Sequence, residues 1–182
     1  MLVRPATIQD AAALAHIQVD SYRTAYAGLM PAEYLARFSY EEQEQDWRDL
    51  LGEPGEPGEP GGDVLLVAEN GQGELAGYAL ARPGSVEDQP AYDSELLALH
   101  VRRAWQRQGI GYALVSAVAG TLGRRGCTSL VLTVLAGNPA RAFYEHLGGT
   151  PAGEKRWALD ELDFEVVEVA YSWPDIRQLQ QE

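Results

Sequence analysis

Residues 95–123 run E-L-L-A-L-H-V, then R-R-A-W-Q-R-Q-G-I-G, then Y-A-L-V-S-A-V-A-G-T-L-G. An apolar, β-rich segment delivers the chain to two glycines, and the glycines open a stretch with apolar residues at helical spacing. A strand must therefore feed a helix through a tight turn. The first N–H groups of that helix have no internal acceptor, and with no side chains in the way they form a socket for phosphate. The plain alternative is a strand-to-helix turn that binds nothing. Charge favours the socket. The chain carries 14 basic and 27 acidic residues, a formal net charge of −13. Yet no Asp or Glu occurs between Leu96 and Tyr144, where Arg102, Arg103, Arg107, Arg124, Arg125 and Arg141 all lie. An acid-free basic island in an acidic chain points to a bound polyanion.

The 182 residues suit a single domain, 1–182, large enough to bury most of its unfolded surface. Cys127 stands alone, and His16, His100 and His146 are scattered without ligand spacing, so neither a disulfide nor a metal is expected. The first residues, M-L-V-R-P-A-T-I, lack the apolar core of a signal peptide, and no apolar run is long enough to span a membrane. A cytoplasmic protein without membrane contacts is expected. Net acidity argues against nucleic acid as partner and favours encounter with a cationic substrate, unless it serves solubility alone.

The pattern along the chain is mixed. A strand is expected at 2–7, a helix at 8–27, a shorter one at 32–38 beginning after Pro31, and a polar helix at 41–51. G-E-P-G-E-P-G-E-P-G-G at 52–62 reads as a flexible, extended surface loop. Strands at 64–69 and 74–82 flank N-G-Q-G, a hairpin signal. A turn-rich stretch, 83–92, leads to a strand at 94–101 and a helix at 109–123. A buried strand follows at 127–134, and then a short helix with Asn138 as cap and Pro139 at its first position. Two more strands, near 151–159 and 162–172, form an antiparallel pair before a C-terminal tail at 174–182. The fold class is α/β in the mixed α+β sense: a central, mostly antiparallel sheet flanked by helices.

Gln106-x-x-Gly109-x-Gly111 lacks the third glycine of a dinucleotide fingerprint, and no G-K-[ST] accompanies it. Its setting is more specific. It follows L-H-V and precedes a strand and then Asn-Pro-x-Arg-x-Phe-Tyr-x-x-x-Gly-Gly at 138–149. On these two motifs the chain resembles the GNAT superfamily of acetyl-CoA-dependent N-acetyltransferases. S-Y-R-T-A-Y-A-G-L-M-P at 21–31 further resembles a bacterial subgroup that includes polyamine acetyltransferases, with Tyr22 in place of the usual Trp.

The resemblance implies a central strand pair that splays, so that backbone groups of Leu99, His100 and Val101 can pair with the pantetheine amides of acetyl-CoA. It places Arg107, Gln108, Gly109, Ile110, Gly111 and Tyr112 around the pyrophosphate, with Arg102, Arg103 and Arg107 as candidates for the other phosphates. Asn138 either touches the pantetheine arm or only caps a helix. Tyr144 occupies the position of an acid that protonates the departing thiolate, or packs its ring between helix and sheet. Glu95 is the candidate base for the attacking amine, with Leu97, Leu99 and Val101 as apolar neighbours on its face; otherwise it is a solvated strand-end carboxylate. His100 is the second candidate, and simple alternation puts it on the opposite face from Glu95. Tyr22, Tyr26 and Glu33 are weak candidates for lining the acceptor site, each with ordinary helix packing as its alternative. No metal is implied. The expected acceptor is a small amine, a polyamine first, with an amino acid, an antibiotic-like amine, and protein N-termini or lysines as rivals; a homodimer is left open. A non-catalytic acyl-CoA-binding module is the competing class.

Overall fold

The computed structural model describes residues 1–52 and 62–180, so most of the expected loop at 52–62 lies outside the described residues. In chain order the elements are β1 (Leu2–Pro5), α1 (Ala11–Ala25), α2 (Ala32–Leu35), α3 (Tyr40–Gly52), β2 (Val64–Glu69), β3 (Leu75–Pro83), β4 (Ser94–Val101), α4 (Ile110–Arg124), β5 (Leu130–Leu135), α5 (Arg141–His146), β6 (Thr150–Leu159) and β7 (Phe164–Trp173). The seven strands form one sheet in the order β1-β2-β3-β4-β5-β7-β6. Every neighbouring pair is antiparallel except β4 and β5, which run parallel around the α4 crossover. This is the mixed, mostly antiparallel architecture expected.

Two cores cover the two faces. On one, Leu114, Val118 and Leu122 of α4 pack with Leu130, Leu132 and Tyr171 of the sheet. On the other, Leu14 and Ile17 of α1 and Trp47 of α3 pack with Leu65, Val67 and Tyr78. The spacing of these residues along each helix is the 3.6-residue period that put them on one side.

Local chemistry moved several boundaries. The helix expected from residue 8 begins at Ala11, after a single 3-10 turn at Ile8–Asp10. There Asp10 accepts from the Thr7 N–H at 2.8 Å and is gripped by both terminal nitrogens of Arg4 at 2.8 and 2.9 Å. The strand expected from Cys127 starts at Leu130, because Thr128 and Ser129 give their donors to Asp93 instead of to a ladder. The expected tail is docked over its described length. Its 3-10 turn, Ile176–Leu179, buries Ile176 and Leu179 against α4, and the Ile176 N–H donates to Thr128 O at 2.8 Å.

Candidate active site

The parallel pair at the centre of the sheet holds together at one end only. Asp93 accepts from the backbone N–H and hydroxyl of both Thr128 and Ser129, each at 2.8 Å. Beside it the buried Ser94 hydroxyl donates to Ser129 O at 2.5 Å. Past this clamp the two strands share a single register pair, Glu95 with Val131. The rest of β4, through Val101, has no ladder partner on its β5 side among the described residues. The strands therefore splay, and β4 turns N–H and C=O groups without a ladder partner toward the gap, Val101 O alone being taken up by a side chain, Gln106 Nε2.

A bulge directs the side chains along the gap. Leu80 pairs with Ala98 and Ala81 with Leu96, so Leu97 is an extra residue in β4. Before it, Leu96 points into the α4 core; after it, Leu99 and Val101 do. Glu95, Ala98 and His100 thus share the opposite face, the side of α1. Two expectations are corrected here. Leu99 and Val101 are not on the Glu95 face, and His100 is not on the other one. Leu97 is 37 % exposed, and Thr133 of β5 is exposed as well. Such exposure in the two central strands of a seven-stranded sheet marks an open slot.

The glycine turn lies at the end of β4 on the α4 side. Arg107 (φ 63°) and Gly109 (φ 80°) both adopt left-handed backbone, which curls the segment before α4 into a concave nest of N–H groups. Gly109 flanks the start of α4, where the helix dipole adds attraction for anions. Gln106 has a different task from the one its motif position suggests: its Nε2 donates to Val101 O at 3.0 Å and ties the turn to the strand end. Gly111 is a matter of space, since a Cβ there would sit 3.3 Å from Cζ of Phe143. That contact brings the start of α4 against α5.

The basic island divides in space. Arg102, Arg103 and Arg107 flank the glycine turn. Arg124 and Arg125 lie at the far end of α4, about 22 Å away along 15 residues. Arg141 donates to Tyr171 Oη at 3.0 Å and to Ala136 O at 2.9 Å, bracing the entry to α5.

On α5, Tyr144 is 8 % exposed, and its hydroxyl makes no hydrogen bond among the described residues. Burial pushes its pKa up to about 12. The helix is bolted to β7 by Tyr171, which donates to Glu145 at 2.5 Å, and by Trp173 Nε1, which donates to Leu147 O at 2.9 Å. Asn138 is not the helix cap expected. Its Oδ1 accepts from the Ala140 N–H at 2.9 Å, closing a turn before α5 starts at Arg141.

Across the slot, the Tyr22 and Tyr26 rings meet at a tilt with centroids 5.1 Å apart, and Tyr22 also meets His100 at 5.6 Å and Phe38 at 4.7 Å. Burial, then neighbouring Tyr22, Tyr144, Glu168 and Tyr34, raises the Tyr26 pKa. Tyr26 of the α1 side and Tyr144 of the α4 side thus come into range of each other through the split sheet. His100, against Tyr22 and Tyr78, is held neutral by burial, its pKa lowered to about 4. Burial raises the Glu95 carboxyl, opposed by Arg82 and reinforced by Asp88 and Glu168. Glu33 is exposed on α2 and is not drawn into this cluster. Glu168 was not anticipated; within an alternating strand it looks like one more solvent-facing acid.

Residues 17–149 match the model of the acetyltransferase (GNAT) family. The chain belongs to the GNAT family. It is 32% identical over 179 residues, 97% of this chain and 95% of the other, to the uncharacterized N-acetyltransferase YuaI of Bacillus subtilis. Two crystal structures share the GNAT fold. The ribosomal-protein-alanine N-acetyltransferase of Brucella melitensis has a TM-score of 0.67 at 24% identity, covering 95% of this chain and 99% of that one. The PaiA N-acetyltransferase of Thermoplasma acidophilum, in complex with coenzyme A, has a TM-score of 0.68 at 17% identity, covering 94% and 98%. As a GNAT member this protein is an acetyl-CoA-dependent acyltransferase. Its residues fit that donor: an unpaired strand edge, a nest of N–H groups at a helix start, and a buried tyrosine whose hydroxyl makes no hydrogen bond among the described residues.

Proposed function

We propose that the protein transfers acetyl from acetyl-CoA to a small primary amine, a polyamine first among them, by direct attack with both substrates bound. What supports this reading is the slot that opens past Glu95, with Tyr144 buried in the core on the α4 side and its hydroxyl making no hydrogen bond among the described residues. Bound acetyl-CoA supplies a thioester whose carbonyl is open to an amine. Leu99, His100 and Val101 offer the backbone groups that align its pantetheine arm. Arg107, Gln108, Gly109, Ile110, Gly111 and Tyr112 wrap its pyrophosphate with their N–H groups. Asn138 serves this arm indirectly, by shaping the turn that delivers Tyr144.

Glu95 accepts the proton that the ammonium must lose, directly or through water, and its raised pKa suits that task. The amine nitrogen forms its bond to the acyl carbon as the bond to sulfur breaks, and Tyr144 donates a proton to the departing sulfur. A backbone N–H on the free edge of β4 faces the charge that builds on the carbonyl oxygen. Cys127 takes no part: it lies before β5, and burial and Asp93 raise its thiol pKa. The acidic remainder of the chain favours a cationic acceptor. Thiol release from acetyl-CoA against a panel of amines tests the reading, with Y144F and E95Q beside the parent. Tight CoA binding with no amine-dependent release would replace the enzyme with an acyl-CoA-binding module.

A further inference from the structure

We propose that Glu168 binds a second ammonium group on the acceptor, held in place by Trp157, while Glu95 serves the reacting nitrogen. The protein would then select diamines over monoamines of the same length. This rests on the amine-acetyltransferase reading above.

Glu168 is the only charged residue in the slot-facing row of β7, which otherwise consists of Phe164, Val166, Ala170 and Ser172. Register fixes that face: Leu135 of β5 pairs with Glu168, and Leu135 and Val166 both belong to the apolar cluster beside Tyr22 and Tyr26. A half-buried carboxylate among such neighbours needs a partner. It has one on one side. Trp157 Nε1 donates to its Oε2 at 3.0 Å, and Oε1 accepts no hydrogen bond among the described residues. Lys155 stands opposite Glu168 in the β6–β7 register, but it is ion-paired with Asp88. A fixed carboxylate with a free oxygen, no committed cation and aromatic rings around it matches the chemistry of an alkylammonium group.

Its position separates it from the base. Glu95 pairs with Val131 at the closed end of the slot and Glu168 with Leu135, four residues further along β5, or about 13 Å. Both side chains face the α1 side, close enough for Glu95 to feel the charge of Glu168. Two carboxylates facing one slot repel each other, and an acceptor with two ammonium groups relieves that repulsion. Tyr22, Tyr26 and Trp157 offer surface for the methylene chain between two ammonium groups.

The test compares 1,4-diaminobutane with 1-aminobutane. Binding to the CoA-loaded protein is read by calorimetry and KM and kcat by thiol release, for the parent, E168Q and W157F. The parent should favour the diamine by about tenfold or more in Kd and KM. E168Q should erase that preference to within about threefold, leaving 1-aminobutane binding and the diamine kcat within about twofold. W157F, which keeps a ring but loses the N–H, should show an intermediate KM. Equal affinity of the parent for both amines would overturn the proposal. So would an equal fall in kcat for both amines in E168Q, because Glu168 would then act at the reacting nitrogen. If the parent binds the diamine through Glu168 yet acetylates neither amine, the transferase reading fails and the Glu168 site stands.

Discussion

Glu95 and His100 face the same side of β4, because the extra residue at Leu97 shifts the side-chain alternation by one between them. Two titratable groups therefore look into the α1 side of the slot with opposite responses to burial, which raises Glu95 and lowers His100 to about 4. Arg82, Asp88, Lys155 and Glu168 face Glu95 from β3, the 83–92 turn, β6 and β7. For a base, the active form is lost as pH falls through its pKa. The kcat/KM profile should thus fall on the acid side at a pH above the ordinary carboxylate range, with no step near 6.5. E95Q should lose about 10²–10⁴-fold in kcat and flatten that limb, while H100N keeps it. A limb that disappears in H100N and persists in E95Q would reassign the base.

Tyr144→Phe removes the unpartnered hydroxyl and leaves the ring packing intact. We expect kcat to fall by roughly 10²-fold or more, with acetyl-CoA affinity within about threefold of the parent. Since its pKa lies near 12, the parent should show no basic limb from this group below about pH 10. Steady-state kinetics with calorimetric binding separates the two effects. Equal activity in Y144F would leave the ring as packing alone.

Asp93 clamps the closed end of the slot with four accepted hydrogen bonds. Asp93→Ala strands those donors and should cost about 1–3 kcal/mol of stability. Although burial works against the charged form, the four donors together hold the Asp93 pKa below its usual value. Its stabilisation is therefore fully present above the unfolded pKa, about 3.9, and is lost as pH falls through the lower folded value. Urea melts at pH 7 and pH 3 should show the gap between parent and D93A narrowing at pH 3.

Gly109 and Gly111 differ in what they tolerate. At φ 80° an alanine at position 109 meets backbone strain of about 1–2 kcal/mol. G109A should weaken acetyl-CoA binding by roughly 5- to 30-fold if the turn reshapes to relieve it. At 111 the added methyl only presses on Phe143, and G111A should bind within about fivefold of the parent. Isothermal titration distinguishes them, and a larger loss in G111A would contradict the nest.

The donor side was legible from local chemistry. Two glycines before an amphipathic run identify a helix start wherever they occur, and N-G-Q-G identifies a hairpin, because neither signal needs a distant partner. The bulge at Leu97 was not legible, since one added residue leaves no mark in E-L-L-A-L-H-V and only the register against β3 reveals it. Glu168 was hidden for the same reason. Its distinction from Glu165 lies in which face β5 and β6 give it, and Trp157 reaches it from the neighbouring strand. Tyr22 and Tyr26 were visible as candidates, but the approach of Tyr26 to Tyr144 depends on a sheet that is split. The six arginines looked like one site because proximity in sequence stood in for proximity in space.

The central claim is that the gap between β4 and β5 holds the acyl donor with Tyr144 at its sulfur. A crystal structure of the complex with acetyl-CoA tests this most directly. It should show the pantetheine arm paired to the backbone of β4 beyond Leu97, the pyrophosphate on the N–H groups around Gly109, and the thioester sulfur within hydrogen-bond reach of Tyr144 Oη. Acetyl-CoA seated instead between α4 and the β1–β2 edge of the sheet, in the depression of about 680 Å³ lined by Pro5, Leu66, Gly120 and Arg124, would contradict the account.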